Sequence, residues 1–153
     1  MIRREEDGLW LELTETIAAH HDLVFDCLTT AVGLSRWFPL AAEVDLRTGG
    51  SIVFGWDEHL RQKSTVAILN YDAGGEVVWD WYLPYQDTHA PIYWRVEPSR
   101  EQGARVLFRQ GPYKSDSEAL MAMVDEAASW QWHLCNLRSV LEVKHDMRSH
   151  RPL

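Results

Sequence analysis

The stretch LVFDCLTTAVGLSRWF, residues 23–38, predicts two short helices lying between a strand and a long β region. Asp22 is a suitable N-cap, and apolar side chains at helical spacing carry the first helix to about Thr30. A second helical piece covers residues 33–38, and Pro39 ends it because proline disfavours helical backbone in the preceding residue. The position of these two helices restricts how the flanking segments can be arranged.

Alternating apolar and polar residues predict antiparallel strands on both sides of the two helices. Upstream, Leu9, Leu11 and Leu13 alternate with Trp10 and polar residues in a first strand. Downstream, residues 42–110 carry strand patterns that are interrupted by three turn sequences. These turns lie at residues 47–50, 72–75 and 98–103. The count is about seven strands, and their short connections indicate antiparallel pairing.

A long helix is predicted from Asp116 to about His145, because apolar residues there recur at steps of three or four. The stripe consists of Leu120, Met123, Ala127, Trp130, Leu134, Leu137 and Leu141. All elements together indicate a single α+β domain over residues 1–153, with its core at about 9–148. In the compact arrangement a curved antiparallel sheet of about six or seven strands surrounds the C-terminal helix.

The composition is that of an ordinary globular chain with an unusual amount of tryptophan, 8 residues in 153. The net charge of −8 disfavours nucleic acid and anionic membrane surfaces as partners. No apolar stretch approaches the ~18 residues of a membrane span, so none is predicted. Cys27 and Cys135 fall in predicted helices without a pairing pattern, which predicts two buried, reduced thiols in a cytoplasmic protein.

Several short motifs occur in an order that is similar to that of a known superfamily. Residues 24–30 match V-f-x-a-L-t-t, residues 34–37 match the L-x-x-W that follows it, and Gly49-Gly50, Glu97-Pro98 and Asp146-Met147-Arg148 lie downstream. The chain thus resembles the START-like (SRPBCC) superfamily, more narrowly its activator of heat-shock-protein-90 ATPase homologue branch. The resemblance implies a helix-grip fold, as in START domains and the birch-pollen allergen. It also implies a cavity between sheet and helix, often for a hydrophobic small molecule.

The chain departs from the pattern of that branch in two places, a run of three residues and one single residue. Many members carry His-Ser-Gly after the last strand, where this chain has Gln110-Gly111-Pro112. Ser129 stands where a glycine usually precedes the helix tryptophan. Any pocket role of the family histidine therefore does not carry over to this chain.

Strand and helix periodicity places a set of large apolar side chains between the predicted sheet and the long helix. In residues 77–83, Trp79 and Trp81 share the face opposite Asp80, which belongs in water. The full set is Trp37, Phe54, Trp56, Trp79, Trp81, Trp94, Phe108, Trp130 and Leu134. These side chains either wall a ligand cavity or fill the space themselves, and both interpretations stay open.

Polar candidates for the mouth of this cavity are His59, His89 and Tyr113. His59 is favoured among them because Asp57, Glu58 and Arg61 lie beside it in a loop. Acidic residues early in the long helix, Glu118, Asp125 and Glu126, are explained by the helix dipole. No metal-ligand spacing, nucleotide motif or nucleophile arrangement occurs, so no catalytic residue, metal or cofactor is predicted.

The leading hypothesis is a non-catalytic domain that binds a hydrophobic or aromatic small molecule. An alternative is an enzyme of the polyketide cyclase or dehydratase type, in which His59, His89, Tyr82 or Tyr113 moves protons. A third, implied only by the resemblance, is a cochaperone that docks on a chaperone. Trp10 and Trp132 fall off the inward stripes, and exposed tryptophans there would favour a homodimer. The alternative is that a loop or the N-terminal strand partly buries them.

Overall fold

The computed structural model describes residues 1–84 and 86–150. Its strands are β1 (Ile2–Glu5), β2 (Gly8–Ile17), β3 (Ala41–Asp45), β4 (Ser51–Gly55), β5 (Lys63–Asp72), β6 (Glu76–Trp79), β7 (Tyr82–Leu83), β8 (Thr88–His89), β9 (Ile92–Pro98) and β10 (Ala104–Tyr113). Its helices are α1 (His21–Thr29), α2 (Ala31–Ser35) and α3 (Ser117–Val143), with short 3₁₀ turns at Arg100–Gln102 and Met147–His150. The order of elements confirms the α+β helix-grip prediction.

Eight strands form one antiparallel sheet in the order β1-β2-β10-β9-β6-β5-β4-β3, and β7 pairs with β8 in a separate ribbon. The sheet is larger than the predicted six or seven strands because β1 adds an edge strand, with Arg3 opposite Trp10. All four residues of β1 are exposed, so the segment shows no alternation by which the sequence pattern could reveal it.

The predicted strand at residues 77–83 is interrupted in the structure. After Trp79 the chain leaves the sheet, where the Asp80 N–H still donates to the Ala67 carbonyl at 2.9 Å. Trp81 follows outside any strand, and its carbonyl accepts the Ala90 N–H at 2.8 Å. Consequently Trp79 is fully buried while Trp81 remains half-buried. The interruption turns Trp81 toward the space between β5, the ribbon and α3.

Helices α1 and α2 pack closely, and their caps differ from the prediction. The His20 side chain, rather than that of Asp22, caps α1 by accepting the Asp22 N–H at 3.2 Å. Thr30 caps α2 by accepting the Gly33 N–H at 2.9 Å, so α2 starts earlier than predicted. Gly33 lies against α1 so tightly that a Cβ atom there would meet the Asp26 carbonyl oxygen at 2.1 Å.

We therefore expect Gly33→Ala to lower the free energy of unfolding by about 2–3 kcal/mol, because backbone must move to admit the methyl group. Urea titration followed by far-ultraviolet circular dichroism measures it. Gly74→Ala is the matched control, since a Cβ there would meet only the Asp72 side chain, at 3.1 Å. That variant should stay within about 0.5 kcal/mol of the parent. Equal losses in the two variants would contradict the close contact between α1 and α2.

The long helix α3 follows its prediction closely. The Asp116 carboxylate caps it by accepting the Ala119 N–H at 2.8 Å. Its buried stripe contains Ala119, Ala122, Met123, Trp130, Leu134, Asn136, Leu137 and Leu141. Leu120 is predicted to lie on this stripe but is 42% exposed. The buried residue one turn before Met123 is Ala119, four residues back, rather than Leu120, three residues back. None of the helices in the described part of the chain is both long and apolar enough to span a membrane.

Residues after α3 fasten its end to the segment that follows α2. The Arg148 guanidinium donates to the carbonyls of Ser35 at 2.8 Å and Pro39 at 2.7 Å, and to the Asp146 carboxylate at 2.7 Å. Asn136, buried on α3, donates to the Trp37 carbonyl at 2.9 Å. Burial would raise the pKa of Asp146, but hydrogen bonds from Arg148 and Asn136 outweigh it and lower that pKa to about 2. We call Asn136, Asp146 and Arg148 the C-terminal cluster.

Trp10 is not exposed, contrary to the prediction that favoured a homodimer. It lies on the outer face of the sheet with 5% of its surface exposed, and its Nε1–H donates to Asp7 at 2.9 Å. The Arg109 guanidinium lies 3.9 Å from its ring centroid, and Tyr93 packs beside it. The β1–β2 hairpin and Arg109 cover this ring, so Trp10 offers no free surface for a second copy. Trp132 is half-buried.

Candidate functional site

Most of the predicted cavity residues are packed against one another between the sheet and α3. The members that are at most 2% exposed are Trp37, Phe54, Trp79, Trp94, Phe108, Trp130 and Leu134. Trp94 illustrates the packing, because its ring centroid lies 5.2 Å from Trp79, 5.0 Å from Phe108 and 5.6 Å from Trp130. These are the distances of directly contacting aromatic pairs. The centre of the helix-grip fold is therefore filled by its own rings.

Two predicted residues, Trp56 and Trp81, lie at the edge of this packed cluster and are half-buried. With Phe38, Trp130, Glu126 and His133 they line an open cavity of about 390 Å³, which we call the tryptophan cavity. Trp81 lies 5.2 Å from Trp130 and 6.3 Å from Phe38, measured between ring centroids. The size is in the range of small-molecule sites, which are concave and mostly apolar. Ser129, the departure from the family glycine, also lines it.

A second cavity of about 430 Å³ adjoins the first and shares Trp81 and Glu126 with it. Its other walls come from β5, from the ribbon strand β7 and from α3, through Val66, Leu83 and Asp125 among others. Trp81 and Glu126 thus stand between two open spaces. The interruption of the sheet after Trp79 is what places Trp81 there.

Glu126 is the functional candidate that sequence reasoning missed. Its Oε2 accepts the Trp130 Nε1–H at 2.9 Å. Burial raises the pKa of Glu126, while hydrogen bonding from the Trp130, Gln110 and Trp81 side chains partly offsets that rise. Its position four residues before the inward Trp130 was the available signal, because residues four apart on a helix lie on one face. The sequence pattern explained Glu126 by the helix dipole, but its place beside the apolar stripe indicates that it faces the aromatic cluster.

Two further polar groups near Glu126 are deeply buried. Tyr113 is 2% exposed, and its hydroxyl has no hydrogen-bond partner among the described residues. Burial, and next the charge of Glu126, raise the pKa of Tyr113. Gln110, which occupies the place of the family histidine, is fully buried, and its Oε1 likewise lacks a partner in the described chain. Glu126, Gln110 and Tyr113 together form what we call the polar cluster.

The two predicted histidines lie away from both cavities. His59 is exposed in a loop where backbone N–H groups, including its own at 2.9 Å, donate to the Asp57 carboxylate. These hydrogen bonds lower the pKa of Asp57, with that from Arg61 contributing most. His89 is exposed on β8 with its Nδ1 3.0 Å from Asp80 Oδ1. Neither histidine lines the tryptophan cavity or the second cavity.

One histidine–aspartate group and the two cysteines have structural explanations. His20, His21 and Asp22 bring their ligand atoms within 4.8 Å of one another, but His20 is occupied in capping α1. Cys27 is buried, and that burial raises the pKa of its thiol to about 11. Cys135 is exposed on α3, which corrects the prediction of two buried thiols. The reason is that position 135 faces away from the buried stripe of α3, to which Leu134 and Leu137 belong.

Comparisons with known proteins agree with this architecture. The sequence profile of the family described as "Activator of Hsp90 ATPase homolog 1-like protein" matches residues 18–142. The fold is similar to that of the protein SSP2350 from Staphylococcus saprophyticus, with a TM-score of 0.76, 15% identity, and coverage of 91% of this chain and 96% of that one. It is also similar to the Aha1 dimer from Colwellia psychrerythraea, with a TM-score of 0.70, 18% identity, and coverage of 88% and 96%.

A third similar structure is that of EF2215, a conserved protein of unknown function from Enterococcus faecalis. Its TM-score is 0.74 at 18% identity, and the match covers 94% of this chain and 77% of that one. At such identities the likeness shows the fold alone. No curated protein matches the chain.

Proposed function

The chain belongs to the Activator of Hsp90 ATPase homolog 1-like family, and we propose that it binds a small hydrophobic or aromatic molecule in the tryptophan cavity. The observation that carries the proposal is the contrast between Trp81 and the other rings. Trp79, Trp94 and Phe108 bury their surfaces on one another, whereas Trp81 and Trp56 leave ring surface facing an open cavity. Large aromatic surfaces left uncovered at a concave site are typical of ligand contacts.

The rim position of Trp81 allows binding to be tested apart from folding. We expect Trp81→Ala to weaken binding of the neutral fluorescent probe N-phenylnaphthylamine at least about tenfold, because it removes one wall of both cavities. The cost in stability should be about 2 kcal/mol, below that expected for a fully buried ring, since Trp81 is only partly buried. Probe fluorescence measures the affinity, and urea denaturation measures the stability.

Trp132→Ala is the matched control for this experiment. Trp132 is also half-buried, and it lines neither cavity. It should retain the affinity of the parent protein. If both variants bind the probe equally well, or if the parent protein does not bind it, the proposed site is wrong.

A second candidate function is proton transfer of the cyclase or dehydratase kind, and the polar cluster favours it. An enzyme needs at least two titratable groups that converge on the substrate. Glu126 and Tyr113 are close enough for the charge of one to affect the pKa of the other. Burial raises the pKa of Glu126, which is the direction that suits a carboxyl group acting as a proton donor. Binding ranks first because Tyr113 is itself buried and does not line either cavity.

A further inference from the structure

Three neighbouring cavities along the N-terminal half of α3 are lined by acidic residues and by no lysine or arginine of the described chain. Glu126 lines both the tryptophan cavity and the second cavity, and Asp125 lines the second. A third open space next to them, about 360 Å³ in volume, is lined by Asp125 and Glu118. The whole chain also carries a net charge of −8, which attracts cations toward a concave site of the same sign.

The helix dipole does not account for these acids. Its effect on side chains falls off within the first turn of a helix. Glu118 is the second residue of α3, but Asp125 and Glu126 are its ninth and tenth. Glu126 is moreover half-buried beside aromatic rings, where an ionised carboxylate loses hydration. Its carboxylate therefore depends on the groups that face it.

No lysine or arginine of the described residues forms an ion pair with Glu126. Other acids that pack near α3 have such partners, since Glu15 and Glu142 both pair with Arg138. The groups that face Glu126 are instead the hydrogen-bond donors of Trp130, Gln110 and Trp81, the neighbouring acid Asp125 and the phenol of Tyr113. His133 is the basic side chain that lines the same cavity. Gln110 and Tyr113 are buried and line neither cavity, so Glu126 is the member of the polar cluster that a ligand can reach.

We propose that the ligand of the tryptophan cavity is an organic cation, an apolar or aromatic body that ends in a protonated amine. This inference rests on the proposed function and adds the chemical class of the ligand. The ammonium group would meet the Glu126 carboxylate, with Asp125 on the adjoining rim. The parts of the Trp56 and Trp81 rings that face the cavity would stabilise a nearby cation through their ring quadrupoles and pack on the apolar body. A fatty acid or other anion would meet like charge at the same place.

Three probes that share one aromatic body separate charge from apolar contact: naphthylmethylamine, naphthylmethanol and naphthylacetate. Isothermal titration calorimetry at neutral pH measures each affinity. The amine should bind at least about tenfold more tightly than the alcohol, and the carboxylate should bind most weakly. In Glu126→Gln the advantage of the amine over the alcohol should vanish, while the affinity for the alcohol should stay within about threefold of the parent value.

Glu43→Gln is the matched control, because Glu43 is exposed on β3 and its replacement removes the same single charge from the protein. The preference for the amine should persist in that variant. Asp125→Asn is a second test that alters only an exposed side chain, and it should reduce the preference about twofold. Thermal unfolding of each variant verifies that it is folded.

The outcomes distinguish this inference from the proposed function. An alcohol that binds the parent protein as tightly as the amine overturns the cation proposal and leaves ligand binding intact. A preference for the amine that survives Glu126→Gln also overturns it. If the parent protein binds none of the three probes, the binding function fails and the inference fails with it.

Discussion

Replacing Trp94 with alanine should lower the free energy of unfolding by about 3–5 kcal/mol, as is typical when a large buried aromatic side chain is truncated. Trp94 is 1% exposed on β9, in the middle of the aromatic cluster. Its ring contacts those of Trp37, Trp79, Phe108 and Trp130, so alanine would leave a void with several aromatic walls. Urea denaturation followed by circular dichroism gives the change.

Trp94→Phe is the informative companion to this variant. The Trp94 Nε1–H has no hydrogen-bond partner among the described residues, although the side chain is buried. Phenylalanine keeps most of the ring contacts and removes an unpaired donor, whose burial is itself costly. The loss should therefore be about 1 kcal/mol. A loss below about 1 kcal/mol in Trp94→Ala would mean that these rings pack loosely enough to be the walls of a cavity.

The contrast with Trp81 separates core from site. Trp94→Ala should cost stability in proportion to its buried surface, whereas Trp81→Ala should cost affinity and less stability than Trp94→Ala. Both residues belong to the aromatic set that the sequence pattern treats as one group. Trp94 lies on β9 opposite Val77 of β6 and is packed, whereas Trp81 follows the end of β6 and faces the cavity.

Replacing Arg148 with methionine should lower the free energy of unfolding by about 3 kcal/mol, because a largely buried guanidinium that donates to several backbone carbonyls is removed. The Arg148 side chain is 10% exposed. Its loss would leave the carbonyls of Ser35, Phe38 and Pro39 without their donor, and Asp146 without its cation. Because these carbonyls belong to the last residue of α2 and to the segment after it, the C-terminal cluster would no longer tie α3 to that part of the chain.

A lysine at the same position and a double variant identify the cause of this loss. Arg148→Lys keeps the charge but not the planar set of donors, so it should recover less than half of the stability. In Asp146→Asn with Arg148→Met, the unpaired carboxylate is gone, and the double variant should lose less than the sum of the two single losses. Additive losses would contradict the coupling between Asp146 and Arg148 that their hydrogen bonds at 2.7–3.0 Å imply.

The sequence by itself determined the elements whose patterns are local. The helical period identified α3, the glycine and proline turns located the hairpins, and the stretch at 23–38 indicated the two short helices. Local patterns failed where burial is not periodic. The wholly exposed β1 has no alternation, and after Trp79 the chain leaves the sheet where the Trp81 carbonyl accepts the N–H of the distant Ala90.

The candidate site was determined only by the tertiary structure. A period tells which face of an element is buried, but not whether the rings on that face fill the space or leave part of it open. Whether the space is filled depends on where β6 ends. Because β6 ends at Trp79, Trp81 lies beside a cavity, while Trp79 and Trp94 are packed. Glu126 was similarly beyond reach, because residues brought from β10, Gln110 and Tyr113, help to set its environment. Desolvation is a property of neighbours in space, and the sequence lists only neighbours along the chain.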